Sequence, residues 1–220
     1  MRAHYHRLLE PHLPLNKAAA VLDVGCGMGL AMDALRHLGY ANTSGVDVDK
    51  NQVALAQAAG LPVKHVEDST AFLRTQTETR ELILCLDVLE HIPKEEQLNF
   101  ASAIRMALKP GGRAIFSVPN ANSALASRWR YNDWTHETSF TEHSMDFLLS
   151  HAGFVKISAS PCEFTVRPRW AWLPRKSTLL WALFRLYRLW RRGEMIAELG
   201  PEQGKAVPLS LNLLAVADRD

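Results

Sequence analysis

The chain has 220 residues, 47% of them hydrophobic and 22% charged, which is enough apolar material for the core of one large globular domain. A formal charge of +2 does not mark a dedicated nucleic-acid binder, and three scattered cysteines (Cys26, Cys85, Cys162) without CxxC spacing argue against a disulfide framework or a cysteine zinc site. The N-terminal MRAHYHRLLEPHL lacks the apolar core of a signal peptide, and no apolar run reaches the roughly eighteen residues of a membrane span, so a protein of the reducing cytoplasm is expected.

Residues 2–10 read as a short helix. Thereafter apolar, strand-like runs alternate with helix-like ones. VLDVG at 21–25 is a strand, followed by a helix over 30–38 that Gly39 closes. SGVDVD at 44–49 is a strand, followed by a helix over 51–59 that Gly60 closes. VKHVED at 63–68 and LILCLD at 82–87 are further strands; a short polar helix follows the first, and a helix over 95–108, stopped by Pro110-Gly111-Gly112, follows the second. RAIFSVP at 113–119 is a fifth strand. This alternation predicts βαβ units and a parallel sheet covered on both faces, with the strand C-termini and any ligand site at one edge. Residues 120–140, NANSALASRWRYNDWTHETSF, break the alternation and read as an excursion over that edge, before a helix over 144–151.

The most informative segment is VLDVGCGMG at 21–29. An apolar strand running into Gly25, Gly27 and Gly29 predicts a sharp strand-to-helix turn. Asp47, at the end of the next strand, places a carboxylate beside it, as a site for an adenosine-containing cofactor requires. A dinucleotide fingerprint needs its third glycine at position 30, which here is Leu30. Asp23 stands two residues before the first glycine, where its charge would repel a pyrophosphate but attract a cationic amino-acid group. Both features favour S-adenosylmethionine over NAD.

VLDVGCGMG, GVDVDK, VEDSTAF, LILCLDVLEHI and LKPGGRAIFSVPN, in this order, resemble the class I S-adenosylmethionine-dependent methyltransferases, in the small-molecule group that includes ubiquinone and menaquinone biosynthesis enzymes. The resemblance covers about residues 18–160 and resumes at LSLNLLAVADR. It implies a Rossmann-like, doubly wound sheet of seven strands, mostly parallel with the last antiparallel. Strands are then expected near 154–164 and 210–217 within one domain over 1–220, interrupted by a helical insertion over 165–208.

Residue by residue, the resemblance assigns the cofactor's methionine end to Asp23, Gly25, Gly27 and Gly29 and the ribose hydroxyls to Asp47. Asp68 and Ser69 are matched to the adenine end, the alternative for Asp68 being a helix N-cap with Ser69. Leu86 brings its backbone to the cofactor. Met28 and Val48 line the adenosine or pack in the core. Asp87, His91 and Asn120 face the acceptor, with His91 alternatively bracing its loop. An alcohol acceptor must lose a proton, and His136 is the candidate base, the alternative being a histidine that pins the excursion; Asp133 would orient it or bind substrate. No set of residues has convincing metal-ligand spacing, so no metal is expected.

VRPRWAWLPRKSTLLWALFRLYRLWRR at 166–192 carries eight basic residues and no acid. On a helical wheel Arg185, Arg188, Arg191 and Arg192 oppose Leu179, Leu183, Leu186 and Trp190. Three roles fit: an anionic membrane surface at the inner face, a roof over the substrate, or a dimer contact. The excursion also loosely resembles small bacterial methyltransferases associated with surface polysaccharide. The expected activity is therefore O-methylation of a small-molecule, sugar (glycan) or lipid-linked acceptor. A non-catalytic cofactor-binding partner and an N- or C-methyltransferase stand as alternatives.

Overall fold

A computed structural model describes residues 2–162 and 176–220, without the side chains of Lys176 and Ser177. The basic residues at 167, 169 and 175, and the last part of the strand expected near 154–164, lie outside the described residues.

The elements run α1 (Arg2–Leu9), β1 (Val21–Val24), α2 (Leu30–His37), β2 (Thr43–Asp47), α3 (Lys50–Ala58), β3 (Val63–His65), α4 (Ser69–Arg74), β4 (Arg80–Leu86), α5 (Gln97–Ala107), β5 (Leu108–Pro119), α6 (Ala126–Asn132), α7 (Glu142–His151), β6 (Val155–Cys162), α8 (Lys176–Leu199), α9 (Pro201–Ala206) and β7 (Asn212–Asp218). The seven strands form one sheet in the order β3-β2-β1-β4-β5-β7-β6. β7 pairs antiparallel with both β5 and β6, and the remaining pairings are parallel. This is the expected Rossmann-like α/β sheet, with helices on both faces.

Period-two alternation sorts the central strands between two cores. Leu22 and Val24 of β1, Ile83 and Cys85 of β4, Phe116 and Val118 of β5 and Leu213 and Ala215 of β7 enter one layer. There they meet Phe100, Ala103, Ile104 and Ala107 of α5, spaced as one helical face. Val21, Leu82, Leu84, Ile115 and Leu214 point the other way, against Leu9 of α1 and Leu35 of α2. Strands buried on both faces cannot alternate polar with apolar, which is why they appear in the sequence as continuous apolar runs.

The strand order reverses between β1 and β4. Chain direction turns outward from this seam on either side, opening a crevice at the carboxyl ends of the two strands. The glycine turn after β1 and the Leu86-Asp87 exit of β4 both border it.

Two regions add detail that the sequence left open. The excursion is partly ordered: it contains α6, and Asn120 bridges Phe140 in parallel. On α8 the cationic side is not uniformly exposed: Arg185 is exposed, whereas Arg188, Arg191 and Arg192 are half-buried. Arg192 donates to the carbonyls of Gly204 (2.7 Å) and Val207 (2.6 Å) at the end of α9, and Arg191 pairs with Glu194 at 3.5 Å. Carbonyls at a helix C-terminus attract a guanidinium, so Arg192 is drawn inward, while Arg191 is held by Glu194 and the Asn122 carbonyl. The opposite stripe, Leu179, Leu183, Leu186 and Trp190, is more than half exposed at every position.

Candidate active site

The glycine turn lies on positive φ angles, +70° at Gly25 and +80° at Gly29. Space is as restrictive as conformation there. A Cβ at Gly25 would stand 2.3 Å from a Val88 methyl, and one at Gly29 would stand 2.2 Å from a Leu61 methyl. Asp47 fixes the turn from β2: Oδ2 accepts the Gly27 N–H at 2.7 Å, and Oδ1 accepts the Asp49 N–H at 2.8 Å. Asp49, the neighbouring acid, is instead the N-cap of α3, accepting from Asn51 and Gln52.

A cavity of about 820 Å³ opens at this point. Asp23, Gly25, Gly27, Met28, Asp47 and Val48 line it on the β1–β2 side, and Leu86, Asp87, His91, Asp133 and Thr135 on the β4 side. Met28 and Val48 are therefore wall residues, not core. Tyr5 reaches the cavity from α1 and Gln52 from α3; neither stood out in the sequence, since both lie on ordinary helical segments. Five aspartates and no lysine or arginine contribute to the wall among the described residues.

That charge balance is visible at Asp23, which is 2% exposed. Burial, and then the nearby Asp47 carboxylate, push its pKa up to about 7. Burial also raises the Tyr5 phenol to about 12, with Asp87 and Asp23 adding to the shift. Asp87 occupies a left-handed conformation (φ +55°) and is held by Ser117 Oγ at 2.5 Å and Asn212 Nδ2 at 3.1 Å; burial raises its pKa.

The acceptor end combines the exit of β4 with the excursion. Glu137 and Thr138 donate their N–H groups to the Glu90 carbonyl, at 2.7 and 3.4 Å. This pins residues 133–138 beside Leu89–His91, a single 3-10 turn. His91 Nδ1 lies 2.8 Å from Thr135 Oγ1, and Thr135 Oγ1 donates to Asp133 Oδ1 at 2.7 Å. His136 Nδ1 lies 2.9 Å from the Trp129 carbonyl, and its ring meets that of His91 edge-to-face, centroids 4.7 Å apart. His91 borders the cavity, and His136 stands behind it. Burial and His136 lower the pKa of His91, whereas the Thr135 bonds lower that of the exposed Asp133.

Besides His136, four expected residues lie off the cavity wall: Gly29, which opens α2, and Asp68, Ser69 and Asn120. The Asp68 carboxylate caps α4, accepting from Thr70 N (2.7 Å) and Ala71 N (3.1 Å), and neither Asp68 nor Ser69 lines the cavity. A carboxylate one residue before a helix is drawn to the free N–H groups of its first turn. Asn120, expected at the acceptor, is buried and donates to the carbonyls of Pro208 (2.9 Å) and Ser210 (2.8 Å) while accepting from Asn122 N–H at 2.9 Å. Its amide clasps the exit of β5 to the approach of β7.

The family described as a methyltransferase domain matches residues 1–159, and the chain belongs to that family. Ubiquinone biosynthesis O-methyltransferase of Hydrogenovibrio crunogenus is 31% identical over 107 residues, 46% of this chain and 43% of that protein. The enzyme of the same name from an Azoarcus species is 36% identical over 107 residues, 46% of this chain and 45% of that protein. The chain thus matches less than half the length of these curated relatives. Among solved structures, an S-adenosylmethionine-dependent methyltransferase from Archaeoglobus fulgidus superposes with a TM-score of 0.70 at 16% identity, covering 100% of this chain and 95% of that one. Haemonchus contortus phosphoethanolamine N-methyltransferase 2, in complex with S-adenosyl-L-methionine, gives 0.64 at 16% identity over 99% of this chain and 52% of that one. At these identities the structural likeness concerns the fold.

Proposed function

We propose that this chain is an S-adenosylmethionine-dependent methyltransferase that O-methylates a small-molecule, sugar or lipid-linked acceptor. The observation that carries this reading is the acidic wall of the cavity at the glycine turn, to which no lysine or arginine contributes among the described residues. It suits a ligand with an ammonium and a sulfonium and repels a pyrophosphate. The relatives' O-methyltransferase names support oxygen as the methylated atom.

S-adenosylmethionine supplies a methyl group already activated on a cationic sulfur. The protein's part is chiefly alignment and control of charge. Asp23 takes the ammonium. Asp47, its carboxylate held rigid by Gly27 and Asp49, accepts from the ribose hydroxyls, and the glycines let the backbone approach without a Cβ. Asp87 and His91 face the acceptor, beside the cluster of His91, His136 and Glu90 that controls the loss of its hydroxyl proton.

Asp23 gives this reading a pH signature. Its raised pKa means the proton is kept by the folded, cofactor-free protein. The associated stability is fully present below about pH 4 and is lost as pH rises through about 7. Between pH 5 and 8, wild-type Tm should fall relative to Asp23→Asn by roughly 5 °C, as read by thermal melts of both proteins. Saturating S-adenosylhomocysteine, whose ammonium replaces the proton, should narrow the gap; parallel Tm curves would show that Asp23 is not the strained charge.

We place the exposed stripe of α8 against an anionic bilayer, with Arg185 and Arg188 at its margin. Among the described residues no helix is long and apolar enough to cross a membrane, so contact would be peripheral. Sedimentation with phosphatidylglycerol vesicles at low salt should capture the wild type and lose Leu183→Glu; equal recovery of both would remove the membrane from the account.

The activity itself is tested by transfer of labelled methyl from S-adenosylmethionine into a cell extract. A labelled product carrying an O-methyl group is expected. Cofactor binding without any labelled product would point to a non-catalytic partner.

A further inference from the structure

Glu90, His91 and His136 each bring one ligand-capable atom into a cluster in which all three lie within 4.8 Å of one another. Glu90 is 1% exposed, and its Oε2 has no hydrogen-bond partner among the described residues. A buried carboxylate oxygen needs a donor or a cation. The histidines are the obvious donors, but their other bonds turn the protons away. The Trp129 carbonyl can only accept, so His136 Nδ1 carries the proton and the neutral ring leaves Nε2 bare. Thr135 spends its one hydroxyl proton on Asp133, so it too accepts, from His91 Nδ1, and again Nε2 is left bare.

Two half-buried imidazoles, each with a bare Nε2, therefore stand at one corner with the buried Glu90 carboxylate. A proton on Glu90 could bridge to one Nε2 only, leaving the other without a donor. A cation satisfies all three. We propose that Glu90, His91 and His136 bind a single divalent cation of the zinc, manganese or iron class, and that its open coordination positions face the acceptor space lined by His91 and Asp87. The proposal rests on the methyl-transfer reading of the cavity. Two histidines and one carboxylate, with positions left open, form a ligand set such ions accept. Histidine ligands characteristically donate their second N–H to a carbonyl or to a carboxylate-linked group, as both do here. Ligand atoms around such an ion lie roughly 3–3.5 Å apart, so the side chains must rotate inward on binding.

An acceptor hydroxyl bound at an open position would ionise more readily. Its O–H bond breaks, the proton passes to water, and the electron pair stays on the oxygen facing the methyl group. His136 then serves as a ligand in place of the base expected from the sequence. The cluster escapes sequence inspection because His91 and His136 belong to separate segments that tertiary bonds bring together, among them Glu137 and Thr138 N–H to the Glu90 carbonyl and His91 to Thr135.

The test uses untagged, chelator-treated full-length protein titrated with Co²⁺, Mn²⁺ and Zn²⁺, followed by calorimetry and, for Co²⁺, the visible spectrum. One ion per chain is expected. Glu90→Gln and His136→Ala should weaken binding by more than about tenfold, while exposed His143→Ala leaves it unchanged. S-adenosylhomocysteine titrated into the same samples should bind all four proteins alike, which separates failure of this site from failure of the cofactor site. Absence of stoichiometric binding of all three ions, or equal binding by Glu90→Gln, His136→Ala and wild type, would overturn the proposal.

Discussion

His136→Ala should lower turnover by about 10²–10⁴-fold, the range associated with losing control of a transferred proton, and leave the affinity for S-adenosylhomocysteine within about twofold. The asymmetry follows from position. His136 does not border the cavity; it acts through His91, whose ring it contacts, and through the corner it shares with Glu90. Removing it leaves the glycine turn, Asp23 and Asp47 untouched. Single-turnover rates with the labelled donor, set beside calorimetric affinities, give the comparison. A parallel loss of both quantities would reduce His136 to a brace for the excursion, through its bond to Trp129.

Asp47→Ala should weaken S-adenosylhomocysteine by roughly 10- to 100-fold, or about 1–3 kcal/mol. Two losses combine. The ribose hydroxyls lose a charged acceptor, and the N–H groups of Gly27 and Asp49 lose the carboxylate that fixes the turn. Asp47→Asn is no milder. Both carboxylate oxygens accept from the backbone, so an amide can satisfy one N–H only and sets its NH₂ against the other. Calorimetry of both variants is the measurement, with circular dichroism to verify the fold. Wild-type affinity in either would mean that the acid serves the turn alone.

The sheet was legible in the sequence because its chemistry is local and periodic. Doubly buried strands need apolar runs, and a strand-to-helix turn this tight needs glycine where Val88 and Leu61 press against it. Asp23 and Asp47 were legible for the same reason: each is fixed to a strand end. The acceptor side was not. Asp68 and Asn120 stand at strand ends in the same way, yet local donors claim them, the first turn of α4 for one and the amide N–H of Asn122 for the other, while carbonyls before β7 take the Asn120 amide. Which partner wins depends on segments far away in sequence. The wheel of α8 has the same blind spot. It gives the amphipathic division but not which side turns inward, and the carbonyls at the end of α9 decide that for Arg192.

Calorimetric titration of the purified protein with S-adenosylhomocysteine and, separately, with NAD tests the central claim most directly. Micromolar binding of S-adenosylhomocysteine at one site per chain, with no heat from NAD, is the expected result. Binding of NAD without S-adenosylhomocysteine would contradict the assignment of the acidic cavity and the function built on it.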